Sequence, residues 1–206
     1  MQFNLLGFPV RVDWWFWLTS ALLGGGLRAQ TSSDWAGVGI WAIVVFVSIL
    51  WHELGHALVG RRFGALPDIV LHGFGGTAYM HGARFTRTED FLTTAAGPAA
   101  SVLLGLAVLG ASLALPDQSP VVREVIRDAL WVNFGWTVIN LLPVVPLDGG
   151  HMLRATLGPR RERLTAWIGC IVAAVAAAVS LSTGLLFMGI LFAVMAWQNY
   201  PNRSPG

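Results

Sequence analysis

The chain has 206 residues, 55% of them hydrophobic and only 12% charged, with a formal net charge of +2. A soluble domain carries about 25% charged residues, so a water-soluble globule is excluded and a polytopic helical membrane protein is indicated. The arginines lie in loops rather than in one patch, which argues against a nucleic-acid partner.

Residues 3–12 place Gly7-Phe8-Pro9 between two short β-prone stretches, a pattern that reads as an amphipathic hairpin with its turn at those residues, lying on the membrane surface. The same stretch lacks the basic, apolar and small-residue regions of a cleavable signal peptide. Asp13 is placed to cap a first span over residues 14–27, where Trp14, Trp15 and Trp17 suit an interfacial belt. A polar loop at 28–34 leads into a second span, residues 35–60, which ends at Arg61-Arg62. Residues 63–90 are too polar and glycine-rich to cross a bilayer. Within them, 69–74 and 76–81 read as two strands around Gly75-Gly76.

A third span covers 91–115, a turn follows at 117–120, and a fourth span runs over 125–145, broken by Pro143 and Pro146. After a polar segment at 148–163, apolar runs at 164–181 and 185–197 form a closing hairpin. Cys170 lies in the first of these runs with no ligand beside it and reads as a small core residue. The expected architecture is one membrane-embedded domain over residues 1–206. It is all-α, with about six transmembrane helices and a small β-sheet or hairpin at the cytoplasmic membrane surface.

Charge orients the spans. With the second span ending at Arg61 in the cytoplasm, alternation puts ten arginines inside (Arg11, Arg61, Arg62, Arg84, Arg87, Arg154, Arg160, Arg161, Arg163, Arg203) and three outside (Arg28, Arg123, Arg127). That asymmetry favours both termini in the cytoplasm, in a cell membrane. All 13 basic residues are arginine, which fits a GC-rich genome and a prokaryotic source.

The chemistry gathers at W-H-E-L-G-H-A-L, residues 51–58, at the end of an almost wholly apolar run. On a helix, His52 and His56 share one face at about 5–6 Å between Cβ atoms, close enough to bind one zinc ion. Glu53, one step round, can hold a water and take its proton; H-E-x-x-H is a metalloprotease signature. At about 1.5 Å per residue the histidines sit about 7–14 Å inside the cytoplasmic boundary. Ionisable groups at that depth are a functional hypothesis by default; the alternative is a polar knot joining helices.

A catalytic zinc needs a third protein ligand and an open position. Asp117, Glu124 and Asp128 fall on the far side, and Asp68, Glu89, Asp90 and Glu162 lie in polar segments beside arginines. Asp148 follows N-L-L-P-V-V-P-L, where the prolines free backbone groups. Irregular backbone at that depth belongs in protein or against a wet cavity. Asp148 therefore reads as a ligand or as a helix-end cap. His72, His81 and His151 read as interfacial or exposed histidines.

H-E-L-G-H at 52–56 combined with N-L-L-P-V-V-P-L-D-G-G at 140–150 closely resembles the site-2 protease family of intramembrane zinc metallopeptidases. The resemblance implies one Zn2+ per chain held by His52, His56 and Asp148, with Glu53 as general base and acid. It includes the surface hairpin and a G-P-small pattern, Gly97-Pro98-Ala99-Ala100-Ser101, read here as close helix packing without chemistry. Asn140 matches the family asparagine that holds the substrate backbone or developing oxyanion, and is read as functional; the alternative for a buried Asn is an interhelical hydrogen bond. No segment resembles the PDZ or CBS modules of many relatives, so control through those modules is not expected.

The implied activity is hydrolysis of a peptide bond within or near the transmembrane segment of a membrane-protein substrate. The resemblance points to a single-span regulatory protein, often trimmed first by another protease, met within the lipid bilayer. A free sheet edge from residues 69–81 could hold the unwound substrate as an added strand. The rival reading is a non-hydrolytic zinc transport or sensor protein. It leaves Glu53 idle, and the apolar outer halves of the spans offer no polar path.

Overall fold

A computed structural model describes residues 1–115 and 118–201. Asp117, the start of the expected 117–120 turn, and Arg203, one of the ten inner arginines, lie outside the described residues. The chain forms two compact units, Met1–Arg84 with Ala96–Thr137, and Phe85–Ala95 with the residues from Val138 onward.

The first unit is built on one four-stranded sheet, ordered β1-β2-β3-β4. Strands β1 (Gln2–Leu5) and β2 (Phe8–Val12) form an antiparallel hairpin. Its turn is Leu6-Gly7, not Gly7-Phe8-Pro9. Both turn residues have positive φ, 53° and 83°, the geometry that matches the twist of a two-residue hairpin. Pro9 is tolerated inside β2 because pairing with β3 starts only at Val10, so no ladder bond on that side needs its missing N–H.

Strand β3 (Leu66–His72) runs parallel to β2 and antiparallel to β4 (Gly75–His81). The second hairpin turns at Gly73-Phe74, two residues earlier than the glycine pair suggests, because Gly75 and Gly76 are paired with His72 and Leu71. Alternation puts Phe8, Val10, Val12, Ile69 and Leu71 on one face, each at most 1% exposed. They pack with Leu50, Leu54 and Ala57 in a single core. Strand β4 ends the order and presents an edge.

Helix α1 (Trp14–Leu23) has 10 residues, about 15 Å, and stops at the glycines that follow. Asp13 stands at its N-cap but makes no capping hydrogen bond; it lies 3.4 Å from Arg11 instead. Helix α2 (Ser32–Arg62) has 31 residues, about 46 Å. It opens with a reciprocal capping box: Asp34 N–H donates to Thr31 Oγ1 at 3.1 Å, and Thr31 N–H to Asp34 Oδ2 at 2.9 Å. Its far end is tied to the first hairpin by Arg61, which donates to the Leu6 carbonyl at 3.1 Å and lies 4.2 Å over the Phe8 ring.

Helix α3 (Arg87–Ala114) gives its first turns to the second unit and residues 96–114 to the first. Then α4 (Pro120–Leu130), a π-helical turn (Trp131–Trp136) and α5 (Thr137–Asn140) run on without a break. In the π turn the fully buried Asn133 donates to Ser48 Oγ at 2.9 Å and to the Ala129 carbonyl at 2.8 Å. The helical backbone ends at Asn140 rather than at Val145, because Pro143 and Pro146 cannot continue its ladder.

The second unit holds α6 (Asp148–Leu157), a 3₁₀ turn (Pro159–Arg161), α7 (Glu162–Ser182) and α8 (Leu186–Gln198). Val144, Ala173, Ala177, Phe192 and Met195 form its core. Among the described residues, three helices are long and apolar enough to cross a membrane: Ser32–Arg62, Arg87–Ala114 and Pro159–Ser182. The expected first and last spans are shorter helices, of 10 and 13 residues.

Candidate functional site

Three buried ionisable residues stand together near the end of α2: His52, Glu53 and His56. The helical repeat puts the two imidazoles on one face, with Nε2 to Nε2 at 3.1 Å and ring planes at 77°. Two nitrogens bound to one tetrahedral zinc at 2.0–2.1 Å stand about 3.3 Å apart, so the pair is already at bridging distance.

The facing wall is the 96–101 stretch of α3. A Cβ on Gly55 would lie 2.5 Å from the Ala96 carbonyl oxygen, so only glycine lets the two helices approach this closely. A Cβ on Gly97 would lie 2.7 Å from His52 Nε2 and closer still to His56 Nε2. The missing side chain leaves open the space beside both Nε2 atoms. One turn further on, Ser101 Oγ is 3.0 Å from His52 Nδ1. A hydroxyl accepting the Nδ1 proton leaves Nε2 as the ring's lone-pair nitrogen, the usual way a ligand histidine is held in its binding tautomer. These two imidazoles and the space over Gly97 fit a zinc ion.

Glu53 lies against the sheet. A Cβ on Gly76 would lie 2.5 Å from Glu53 Cγ and 2.6 Å from Oε1, so the backbone of β4 runs directly against this carboxylate. The buried base and the sheet edge are thereby adjacent.

In the second unit, Asp148 is the first residue of α6. Asn140 Nδ2 donates to Asp148 Oδ2 at 2.6 Å, which orients the carboxylate. The family resemblance implies a substrate or oxyanion role for Asn140, and the hydrogen bond to Asp148 stands beside that role without testing it. The two glycines after Asp148 are explained by contact. A Cβ on Gly149 would collide with the Leu141 carbonyl, and one on Gly150 would lie 2.5 Å from Val145 N. The unwound segment lies directly on the first turn of α6.

Three of the four competing acids on this side are engaged with other partners. Glu89 accepts from Thr86 N–H and Oγ1, both at 2.8 Å, Glu162 pairs with Arg154 at 2.8 Å, and Asp68 pairs with His81. His72 shares a 3.1 Å hydrogen bond with Thr77 Oγ1. Burial holds its pKa below the usual imidazole value, against the opposing charge of Asp13. His151 sits in α6 and is half-buried, rather than in an exposed loop. Gly97 and Ser101 are the site residues that sequence reasoning left without chemistry. Their four-residue spacing was the available signal, but its meaning depends on which helix lies opposite.

Comparison with known proteins agrees with this chemistry. Residues 19–123 match the family model described as Peptidase M50B-like, and residues 117–183 match that of Peptidase family M50. Rip3 of Mycobacterium tuberculosis, a protein bearing a zinc metalloprotease name, is 32% identical over 222 aligned residues, covering 94% of this chain and 55% of the relative. A zinc metalloprotease of Methanocaldococcus jannaschii is 28% identical, over 94% of this chain and 56% of its own. The chain thus spans about half the length of these curated relatives. The solved structure of a site-2 protease from Methanocaldococcus jannaschii superposes with a TM-score of 0.66 at 25% identity, covering 97% of this chain and 91% of that one. The M50B-like match alone takes in half of the sequence, and with the structural likeness it establishes that the chain belongs to the M50 peptidases, in the site-2 protease family.

Proposed function

We propose that this chain is a zinc endopeptidase that cuts a peptide bond within or near the transmembrane segment of a membrane-protein substrate. The observation that carries the reading is the pair of imidazole nitrogens 3.1 Å apart over Gly97, with Glu53 buried beside them. One zinc per chain would be held by His52, His56 and Asp148, where it would supply Lewis acidity and lower the pKa of water. Glu53 takes a proton from the attacking water and returns it to the amide nitrogen that leaves. Asn140 holds the Asp148 carboxylate in orientation; a further contact to the substrate carbonyl is compatible with its place before the unwound segment.

The third ligand has a direct test. Asp148→Ala should lose zinc, whereas Glu89→Ala and Glu162→Ala should keep it, measured as metal per purified chain in detergent. Zinc retained in the Asp148 variant and lost in either glutamate variant would transfer the role.

The ten-to-three arginine asymmetry supports six membrane-embedded segments with both termini in the cytoplasm, the shorter helices α1 and α8 included. A single-span protein is the natural substrate. Its helix must unwind before it can be cut, and its freed peptide groups need partners. The edge of β4 would supply them as an added strand beside Glu53. Proline at whichever of Thr77 and Ala78 points its N–H away from β3 should cut turnover without changing zinc content. Unchanged turnover would remove the strand edge from the mechanism.

A further inference from the structure

The segment between α5 and α6 is fastened by a residue that lies 54 positions further along the chain. Asn199 follows the last turn of α8 and is 7% exposed. Its side chain turns back onto the backbone of Val145. Nδ2 donates to the Val145 carbonyl at 2.6 Å, and Val145 N–H donates to Oδ1 at 3.3 Å. The same Nδ2 donates to the Met195 carbonyl at 2.8 Å, which fixes the amide to its own helix. One planar amide therefore satisfies both backbone groups of Val145, as a neighbouring strand would.

Helix α7 is shaped to admit this contact. A Cβ on Gly169 would lie 2.5 Å from Asn199 Oδ1 and 3.3 Å from the Pro143 carbonyl oxygen. Three parts of the unit meet at this point: the glycine on α7, the end of α8, and the proline-interrupted segment. Val144, beside the clamped residue, is fully buried in the unit's core. Its carbonyl accepts from Leu147 N–H at 2.7 Å. Only Pro146 and Leu147 separate the clamped residue from Asp148, so there is little slack between them.

We propose that Asn199, with the space left by Gly169, is a positioning residue for Asp148. On this view the closing helical hairpin fixes the register of the aspartate-bearing segment as well as filling the membrane. Unwound backbone in an apolar setting must be satisfied by protein, and a displacement of about 1 Å at a ligand weakens a metal site severely. The inference rests on the reading of Asp148 as a zinc ligand.

The test uses the full chain in detergent, loaded with Co2+ as a visible probe of ligand geometry, and follows metal release to a chelator. Asn199→Ala and Asn199→Asp should each speed release about 10–100-fold, the range for loss of a group that orients a ligand. Both should shift the Co2+ absorption bands. Gly169→Ala reaches the same end from the other side by pressing on Oδ1, and combined with Asn199→Ala it should add little further. Phe192→Leu in the same hairpin core is the comparison, since it lowers the unfolding temperature without touching the clamp. Release in the clamp variants no faster than in Phe192→Leu at matched stability would overturn the proposal. If Asp148→Ala itself releases Co2+ at the parent rate with unchanged bands, the ligand reading fails first. If only that variant differs from the parent, the ligand reading stands and the clamp falls.

Discussion

Glu53→Gln should lower cleavage of a single-span substrate by about 10²–10⁴-fold, the contribution of one positioned general base, while zinc per chain stays at the parent value. The substitution keeps size and the fit against Gly76, and removes the charge and with it the ability to take a proton. A carboxylate at 5% exposure, on a helix apolar enough to cross a membrane, costs several kcal/mol unless something compensates it. Lost cleavage with zinc and helical content retained is the result expected of a base; a structural glutamate would give up its fold or its metal together with its activity. Glu53→Asp adds a graded control, since it keeps the charge but draws the carboxylate back by one methylene. Substantial turnover in Glu53→Gln would remove Glu53 from the chemistry altogether.

How much of the fold and site is legible in the sequence follows the range of the interactions involved. The His52–Glu53–His56 group is local: a spacing of four on a helix fixes which side chains share a face, whatever else the fold does. The strands were legible for the same reason, but their turns were not. The Gly-Phe-Pro signal starts the first turn one residue too late, because Pro9 is tolerated inside β2, whose pairing with the strand at 66–72, beyond two intervening helices, begins only at Val10. Asp148 was reached by weighing acids against broken backbone and by family resemblance. The hydrogen bond from Asn140 to its carboxylate depends on how the chain folds back between them, and no spacing rule gives that. Ser101 and Asn199 are invisible in the same way: each acts on a residue about fifty positions distant. Both are small polar residues in apolar surroundings, a pattern equally produced by ordinary helix packing in membranes.

Gly97→Ala should abolish zinc binding, and with it cleavage, although it adds a single methyl group far from the H-E-x-x-H motif in sequence. In a helix interior, glycine to alanine ordinarily stabilises by about 1 kcal/mol, so a residue conserving only helix packing elsewhere on α3 would gain or be indifferent. Here the new carbon lands 2.7 Å from His52 Nε2 and nearer to His56 Nε2, inside the distance any real Cβ keeps. Withdrawal of α3 would open the close helix packing that Gly55 permits against Ala96 and would break the hydrogen bond from Trp51 Nε1 to the Ala100 carbonyl, 3.0 Å. The imidazoles must yield instead. Rotating His52 breaks its 3.0 Å contact with Ser101, and rotating His56 points its lone pair away from its partner. Either movement removes one of two neighbouring ligands, and the methyl fills the space that remains. Zinc per chain should fall to background after dialysis against a mild chelator, with helical content unchanged. Ala99→Gly and Ala100→Gly on the same turn supply the comparison for helix propensity, and should keep their metal. A Gly97→Ala protein that binds zinc at parent stoichiometry and still cleaves would show that the ion does not sit over this glycine, and the site would have to be rebuilt around a different pair of nitrogens.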